Sequence, residues 1–309
     1  MDSLRIKYIS IFFGILVLIM GGAYLLNINN LPQKPINYVN EKDYYTIQDE
    51  DGNLLMETGI EIHVNDEFID ENNRHYIVTK VENKIATAII KNSSSTDGEP
   101  SIPTSSLFVP TQALRSSLSN KQVGIYFSHN DESYVLTSGK AAEPGNGDIM
   151  QVGKALQDCL EKSAVKVTLS LNDHGPHDIN AYHRSRKTAI SLIKKSPDML
   201  FDIHRDAAPF DAYAATINGI EVSRVMIVVG RSNPNMQANL QFAKKIKGAA
   251  DELYPGLMRG IFIGKGDYNQ DLYPTALLFE VGTDSASLSM SKKGVRCLGD
   301  AIIYVLQKS

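Results

Sequence analysis

The stretch QVGIYFS, from Gln122 to Ser128, is an almost unbroken apolar run, and the polar sequence from His129 to Glu132 follows it directly. A short apolar run of this kind predicts a strand that is buried on both faces. The apolar spacing of residues 152–162 then predicts a helix. A buried strand followed by a helix is typical of α/β proteins, in which the two kinds of element alternate along the chain.

The same alternation continues to the end of the chain. Further strands are predicted at 165–171, 199–204, 225–229, 261–263 and 276–281, and further helices at 182–195, 234–253 and 288–307. Because strands that alternate with helices usually pair in parallel, we expect an α/β fold with a mostly parallel sheet and helices on both faces. Ligands of such sheets bind at the carboxyl ends of the strands, so the residues there are candidates for a functional site.

The N-terminus carries a membrane signal. Residues 8–26 contain no charged side chain, and at about 1.5 Å per helical residue they can span a hydrocarbon core of about 30 Å. Arg5 and Lys7 precede this run, and no basic residue follows it closely. The positive-inside rule therefore predicts a cytoplasmic tip at 1–7, a single transmembrane helix at 8–26 and an extracytoplasmic remainder. A cleaved signal peptide is the alternative, disfavoured by the length of the run and by the lack of a small-x-small cleavage site.

The region between this helix and the α/β part has its own character. Residues 27–40 are polar with two prolines and predict a linker. Alternating apolar residues around a turn at Asp51-Gly52-Asn53 predict a small β-rich module from about 41 to 92. The low-complexity stretch 92–106 then marks a boundary, so we predict the module and its linker over 41–115 and the catalytic domain over 116–309.

Composition excludes several classes of protein. The net charge is −4 and no long basic block occurs, which argues against a nucleic-acid partner. Only two cysteines are present, Cys159 and Cys297, so a CxxC metal site and a disulfide scaffold are both excluded. A metal site in this chain must therefore use histidine, aspartate and glutamate.

Four such residues fall where strands are predicted to end. His129 follows the first strand, Glu132 lies three residues later, His204 ends the strand at 199–204, and Glu280 follows four apolar residues. Two histidines and one carboxylate make a three-ligand Zn²⁺ site with an open fourth position. Zinc lowers the pKa of a water molecule, and Glu280 is placed to act as the general base. We therefore predict His129, Glu132 and His204 as zinc ligands and Glu280 as the catalytic carboxylate.

Other polar residues remain open as ligands or substrate contacts. Glu143 is the alternative second carboxylate ligand. Arg205 and Asp206 directly follow His204 and should border the pocket, where the arginine could bind a substrate carboxylate. His177 is a candidate for substrate binding, whereas His174 in the same Gly-Pro loop is interpreted as a surface residue.

Five segments resemble the stage II sporulation protein P family: SHNDESY (128–134), SRK (185–187), DIHRDA (202–207), YNQDL (268–272) and LFEVG (278–282). The resemblance extends over the N-terminal anchor, the linker and nearly all of the catalytic region. One departure is visible, because the first motif of the family usually begins HTHxxES and Phe127 stands here in place of its first histidine.

The resemblance implies a zinc-dependent peptidoglycan hydrolase of endospore-forming Firmicutes, related to N-acetylmuramoyl-L-alanine amidases. Such a protein cleaves between muramic acid and the stem peptide, and an endopeptidase activity on cross-links is also attributed to the family. It acts at the cell membrane during engulfment of the forespore, together with stage II sporulation proteins D and M. His129 and His204 match the family's zinc histidines and Glu280 its catalytic glutamate.

Two other functions are compatible with parts of the pattern. A metallocarboxypeptidase has similar ligands but needs an arginine that holds a terminal carboxylate, for which Arg205 and Arg259 are the candidates. An inactive, membrane-anchored scaffold subunit is the non-enzyme alternative, and the intact His129, His204 and Glu280 argue against it.

Overall fold

A computed structural model of the chain describes residues 44–91 and 117–308. The strands are β1 Tyr45–Gln48, β2 Leu54–Thr58, β3 Glu67–Asp70, β4 His75–Glu82, β5 Ile85–Ile90, β6 Gln122–Tyr126, β7 Lys166–Leu169, β8 Met199–Asp206, β9 Ala214–Ile217, β10 Ile220–Ser223, β11 Val225–Gly230, β12 Met258–Gly264 and β13 Ala276–Thr283. The helices are α1 Val135–Ser138, α2 Ile149–Lys162, α3 Ala181–Ile193, α4 Phe210–Tyr213, α5 Met236–Leu253 and α6 Leu288–Lys308, with a 3₁₀ turn at Gln270–Leu272.

The predicted helices and strands of the α/β part are all present, with ends shifted by up to three residues. Strand β3 and the β9–β10 hairpin were not predicted. Both are short, and four residues give too few repeats for a period to be recognised.

Eleven of the described strands form one sheet in the order β2-β1-β5-β4-β3-β12-β11-β13-β8-β6-β7. Strands β13, β8, β6 and β7 pair in parallel, but β11 runs antiparallel to β13, and β3 runs antiparallel to β12. The prediction of a mostly parallel sheet is therefore correct only for the parallel groups, and the sheet as a whole is mixed. Strand direction depends on which strands become neighbours, and apolar periodicity carries no information about that.

The two faces of the sheet have separate cores. Helices α2, α5 and α6 pack on one face against alternate residues of the central strands, such as Phe201 and Ile227. The opposite face, with Val228 and Leu278, packs against residues of β1–β5, including Ile47 and Tyr76. Helix α3 covers the part of this opposite face that lies over β6 and β8.

Residues 44–91 therefore share a sheet and a core with the rest of the described chain, and Glu41–Ser309 forms one compact unit. The predicted boundary at 92–106 lies outside the described residues, as does the predicted transmembrane helix at 8–26. Within residues 44–91 and 117–308, no helix combines the length and the apolar character needed to cross a bilayer.

Glu67, at the start of β3, stabilises this shared sheet in a pH-dependent way. Its carboxylate accepts hydrogen bonds from His75 at 2.6 Å and Lys91 at 2.7 Å. Burial raises the pKa of Glu67, but these two partners outweigh burial and lower the pKa to about 2. The stabilisation is thus present above the unfolded pKa of about 4.3 and is lost as the pH falls toward 2.

We expect Glu67→Gln to lower the free energy of unfolding by about 1–2 kcal/mol at about pH 5.5, above the unfolded pKa of this carboxyl group, with solvent screening taken into account. Because the wild-type carboxylate becomes protonated in acid, the difference should shrink to near zero as the pH approaches 2. Urea unfolding across this range measures it, with Glu82→Gln, an exposed partner of Lys80, as the control. A difference that does not change with pH would contradict the role of Glu67.

Candidate metal centre

Three side chains converge beside the carboxyl-terminal parts of β6 and β8. His129 and Glu132 lie in the loop after β6, and His204 lies within β8. Their potential ligand atoms all lie within 4.8 Å of one another. His204 and Glu132 are buried, and His129 is half-buried. Among the described residues, this His-Glu-His set is the one group of three whose atoms are close enough to hold a metal ion.

The two imidazoles present the same nitrogen to the centre. Nδ1 of His204 lies 3.3 Å from Glu132 Oε1, and Nδ1 of His129 lies 3.6 Å from the same oxygen. Nε2 of His129 faces the Asp178 carbonyl at 3.4 Å, and Nε2 of His204 faces Asp202 Oδ1 at 3.1 Å. Because each Nε2 faces a hydrogen-bond acceptor, the proton of each neutral imidazole is favoured on Nε2. The lone pair of each Nδ1 is then available to bind a cation.

Asp202 is the residue that orients His204. It also accepts hydrogen bonds from the Ser128 backbone N–H at 2.8 Å and from the Ser128 hydroxyl at 2.7 Å. Burial alone would lower the pKa of His204, but the charges of Asp202 and Glu132 raise it overall. Negative charge therefore exceeds positive charge around this imidazole, and a bound divalent cation would balance it.

Replacing Asp202 with asparagine should weaken metal binding, because the amide cannot hold His204 by charge and can also donate to Nε2. Loss of such an outer acceptor typically costs 10- to 100-fold in metal affinity, and we expect a loss in this range. Competition with a chromogenic chelator measures the affinity. Asp158→Asn, on the exposed side of α2, is the matched control, and an unchanged affinity in the Asp202 variant would exclude this role.

Glu132 is held as an ionised ligand. Its Oε2 accepts a hydrogen bond from the Arg205 backbone N–H at 2.9 Å, which leaves Oε1 between the two imidazoles. Burial raises the pKa of Glu132, but His204, His129 and Arg205 together lower it well below its usual value. The loop closes tightly over this residue, since a Cβ at Gly147 would lie 2.4 Å from the Glu132 carbonyl oxygen.

Glu280 lies next to this set, on β13. It pairs with His204 in the parallel ladder, so both side chains point to the same sheet face. Burial raises the pKa of Glu280 well above its usual value, and within residues 44–91 and 117–308 its buried Oε2 has no hydrogen-bond partner. An unpaired buried carboxyl group is costly unless a ligand completes it. The donor set and this unsatisfied oxygen together fit a metal ion with a reacting group beside it.

The centre lies over the sheet face, beside the carboxyl-terminal parts of the parallel strands β6, β8 and β13, in agreement with the expectation for these strands. His204 and Glu280 are inside their strands, and β11 and β12 run in the opposite direction to β8. A cleft of about 680 Å³ extends from the centre over Val228 and Leu278 of this face. Residues 177–182 line it on one side, and residues 59–63 and 265–268 on the other.

Glu143 and Arg205 have other contacts than those predicted. Glu143 pairs with Lys140 and does not line the cleft, so Glu132 is the carboxylate that lies beside the two histidines. The Arg205 guanidinium donates to the carbonyl oxygens of Ser133 and Ala141 at 3.3 and 2.8 Å. It therefore fastens the loop that carries Glu132. Arg205 and Asp206 both line the cleft, as predicted, but the guanidinium contacts do not support the predicted bond to a substrate carboxylate.

Asp206 and Arg259 likewise have structural contacts. Asp206 is buried and accepts hydrogen bonds from the Gly59 N–H and the Tyr213 hydroxyl. Arg259 stacks 4.1 Å from the Tyr213 ring and lines a different, smaller cavity, which does not support the predicted role in binding substrate. His177 does line the cleft, where it stacks on His129 with ring centroids 4.1 Å apart.

Two residues of this region, Asp202 and Tyr182, were not predicted, and the prediction that His174 is a surface residue is wrong. The His174 imidazole is buried, and its Nδ1 contacts the Phe127 carbonyl oxygen at 2.7 Å. It therefore stabilises the start of the loop that carries His129 and Glu132. The signal for Asp202 in the sequence is its place two residues before His204, which puts both side chains on the same face of the strand. Tyr182, whose ring lies 5.3 Å from that of His129, had no signal in the spacing.

Comparison with known proteins adds the family. The sequence model of stage II sporulation protein P (SpoIIP) matches residues 31–303. The chain belongs to this family. Stage II sporulation protein P of Bacillus subtilis (strain 168) is 30% identical over 199 residues, which cover 58% of this chain and 50% of that protein. The chain thus spans about half the length of this curated family member.

Two solved structures are similar at lower identity. Ami1, an N-acetylmuramyl-L-alanine amidase from Mycobacterium smegmatis, aligns with 62% of this chain and 98% of its own, at 15% identity and a TM-score of 0.41. The CwlD amidase from Clostridioides difficile, solved in complex with the GerS lipoprotein, aligns with 62% and 100% at 16% identity and a TM-score of 0.44. With such low TM-scores, neither structure bears on function, which depends on the SpoIIP match and on the site itself.

Proposed function

We propose that this SpoIIP-family protein is a zinc-dependent peptidoglycan hydrolase that cleaves the amide bond between muramic acid and the first residue of the stem peptide. The observation that carries the proposal is the His129-Glu132-His204 set beside the Glu280 carboxyl oxygen, which has no hydrogen-bond partner among the described residues. Membership of the SpoIIP family supports the substrate class.

The donor set favours zinc among the common divalent ions. Two imidazoles and one carboxylate are a usual three-ligand catalytic zinc set, whereas magnesium and calcium prefer oxygen ligands alone. When bound, zinc polarises the scissile carbonyl and makes a water molecule acidic enough to attack near neutral pH.

The chain's own residues would supply the remaining chemistry. Glu280 accepts a proton from the attacking water and returns it to the leaving nitrogen, since it lies on the same face as His204 and its Oε2 is free. Burial raises its pKa above that of an ordinary carboxyl group, which suits a group that must both take and give a proton. Asp202 and the Arg205 backbone keep His204 and Glu132 in place throughout.

The geometry gives less support to a carboxypeptidase. That activity needs an arginine in the cleft to hold a terminal carboxylate, but the Arg205 guanidinium is bound to two carbonyl groups and Arg259 lines another cavity. An inactive scaffold has no use for a buried, unpartnered Glu280.

Family membership supports the cellular setting of the proposal, and the uncharged run at residues 8–26 supports the anchor. We place the protein in forespore engulfment, anchored by residues 8–26 with the catalytic region outside the cytoplasm, and acting with stage II sporulation proteins D and M. Forespore engulfment scored in a deletion strain, with the Glu280→Gln chain as the complementing allele, tests this setting. Complementation by the inactive allele would separate the cellular role from hydrolysis.

Digestion of purified sacculi by the zinc-loaded chain tests the reaction. We expect free stem peptides with L-alanine at their N-terminus, identified by mass spectrometry. Shortened cross-links would indicate endopeptidase activity, and released single amino acids would indicate a carboxypeptidase. Sacculi left intact by fully zinc-loaded protein would contradict the proposed function.

A further inference from the structure

The segment from Gly59 to Asp66, which connects β2 to β3, crosses the sheet face beside the metal centre. At one end, the Gly59 N–H donates to Asp206 Oδ1 at 2.7 Å, two residues beyond the ligand His204. The approach is close, because a Cβ at Gly59 would lie 2.7 Å from the Cβ of Ala207. At the other end, the buried Asp66 carboxylate accepts a hydrogen bond from Arg231 Nε at 2.9 Å.

These two attachments lie at opposite edges of the central strands. Asp206 ends β8, and Arg231 follows β11, which runs the other way. Residues 59–63 therefore form a fixed wall along the cleft, fastened at both ends by buried carboxylates. Residues 44–91 therefore contribute one side of the cleft beside the metal centre.

Lys265 stands at the end of this cleft remote from Glu280. It lies in the turn after β12, and its own carbonyl accepts a hydrogen bond from the Ser232 hydroxyl. The neighbouring Gly264 carbonyl accepts one from the Arg231 N–H at 2.8 Å. The backbone that presents Lys265 to the cleft is thus held by the residues that follow β11.

The ammonium group of Lys265 is available to a ligand. Its side chain is exposed and lines the cleft, and no ion pair to it is found within residues 44–91 and 117–308. Arg205, the other Lys or Arg in the described lining, is bound to carbonyl groups. Glu61, on the wall, lies 3.5 Å from His63 Nε2. Lys265 is therefore the cation of this lining that can take a substrate carboxylate.

The strand register sets its distance from the reacting bond. Glu280 of β13 and Gly260 of β12 both pair with Met226 of β11, so they lie at the same height in the sheet. Lys265 lies five residues after Gly260 and two strands away from Glu280. At about 3.3 Å per residue and about 4.8 Å per strand, the Cα atoms are roughly 19 Å apart. The Glu280 and Lys265 side chains together span about half of this Cα–Cα distance. The remaining gap of roughly 10 Å is the length of about three extended residues.

We propose that Lys265, at the end of the wall formed by residues 59–63, binds a carboxylate of the stem peptide about three residues from the bond that is cleaved. This inference depends on the proposed function, since it names the part of that substrate which the cleft recognises.

The test measures binding without hydrolysis. The full-length, zinc-loaded chain carrying Glu280→Gln is titrated with N-acetylmuramoyl-L-alanyl-D-isoglutaminyl-L-lysine and with its C-terminal amide, which differ in one carboxylate. We expect the acid to bind about three- to tenfold more tightly, as suits a partly desolvated ion pair. Lys265→Ala should reduce this ratio to about one and Lys265→Glu should invert it, whereas Lys245→Ala, an exposed lysine of α5 outside the cleft lining, should preserve it.

Two results would overturn the inference. One is equal binding of acid and amide by the Lys265-containing chain. The other is a preference that survives Lys265→Ala, which would mean that the metal or another group holds the carboxylate. Sacculi digestion by the wild-type chain tests the proposed function separately. If the peptides bind as expected across the Lys265 variants but sacculi are not cleaved, only the proposed function is overturned.

Discussion

Replacing Glu280 with glutamine is expected to lower kcat for peptidoglycan cleavage by about 10²- to 10⁴-fold, the usual contribution of a general acid-base group. The amide has nearly the same shape but can neither take a proton from water nor return one to the leaving nitrogen. Because none of the predicted ligand atoms belongs to Glu280, the zinc content should not change. Release of soluble fragments from sacculi measures the rate, and elemental analysis measures the metal.

The control for this variant is Glu252→Gln, an exposed residue of α5 that contacts the Tyr304 hydroxyl far from the cleft. It should retain wild-type activity. Since Glu280 is buried with one oxygen unpartnered, the glutamine variant should also unfold no earlier than the wild type in the absence of metal. Full activity in the Glu280 variant would eliminate it as the proton carrier, and loss of zinc would make it a ligand.

Removing a ligand should have the second largest effect. We expect His204→Ala to lose bound zinc on dialysis and to lose hydrolysis with it, because the alanine leaves two ligands and two buried carboxylates, Glu132 and Asp202, without their shared partner. Zinc per chain after dialysis measures the effect. His183→Ala, an exposed histidine of α3, is the matched control and should keep its zinc.

The same measurement separates the two glutamates that the sequence left open. Glu132→Gln should lose zinc, and Glu143→Gln should keep it, because Glu143 pairs with Lys140 outside the cleft. The opposite outcome would mean that the loop between β6 and α2 rearranges when metal binds. Undiminished zinc in the His204 variant would refute the whole ligand set.

Much of this protein follows from local patterns. The strands and helices of the α/β part were predictable because burial imposes a period of two or 3.6 residues, which a short window of sequence reveals. His204 and Glu280 could be selected because a charged or polar residue within an apolar strand is costly to bury without a partner. His129 could be selected because it directly follows such a strand.

Contacts between distant segments could not be found in this way. The choice of Glu132 over Glu143 depends on the Arg205 backbone N–H, 73 positions away along the chain. The same fold turns the Arg205 guanidinium toward the ligand loop, so its predicted contact with substrate is not supported. The contact between Asp202 and His204 Nε2 is visible only in the folded strand β8.

The sequence by itself predicted the elements of the α/β part, the metal-binding residue types, two candidate histidine ligands and one candidate catalytic carboxylate. Only the tertiary structure showed which glutamate lies beside the two histidines, how the centre lies over the sheet face, and the wall at residues 59–63. The reason is that these features depend on strand order and direction, such as the antiparallel pairing of Glu67 with Ile263. Such pairing is settled by packing between segments that no local period connects.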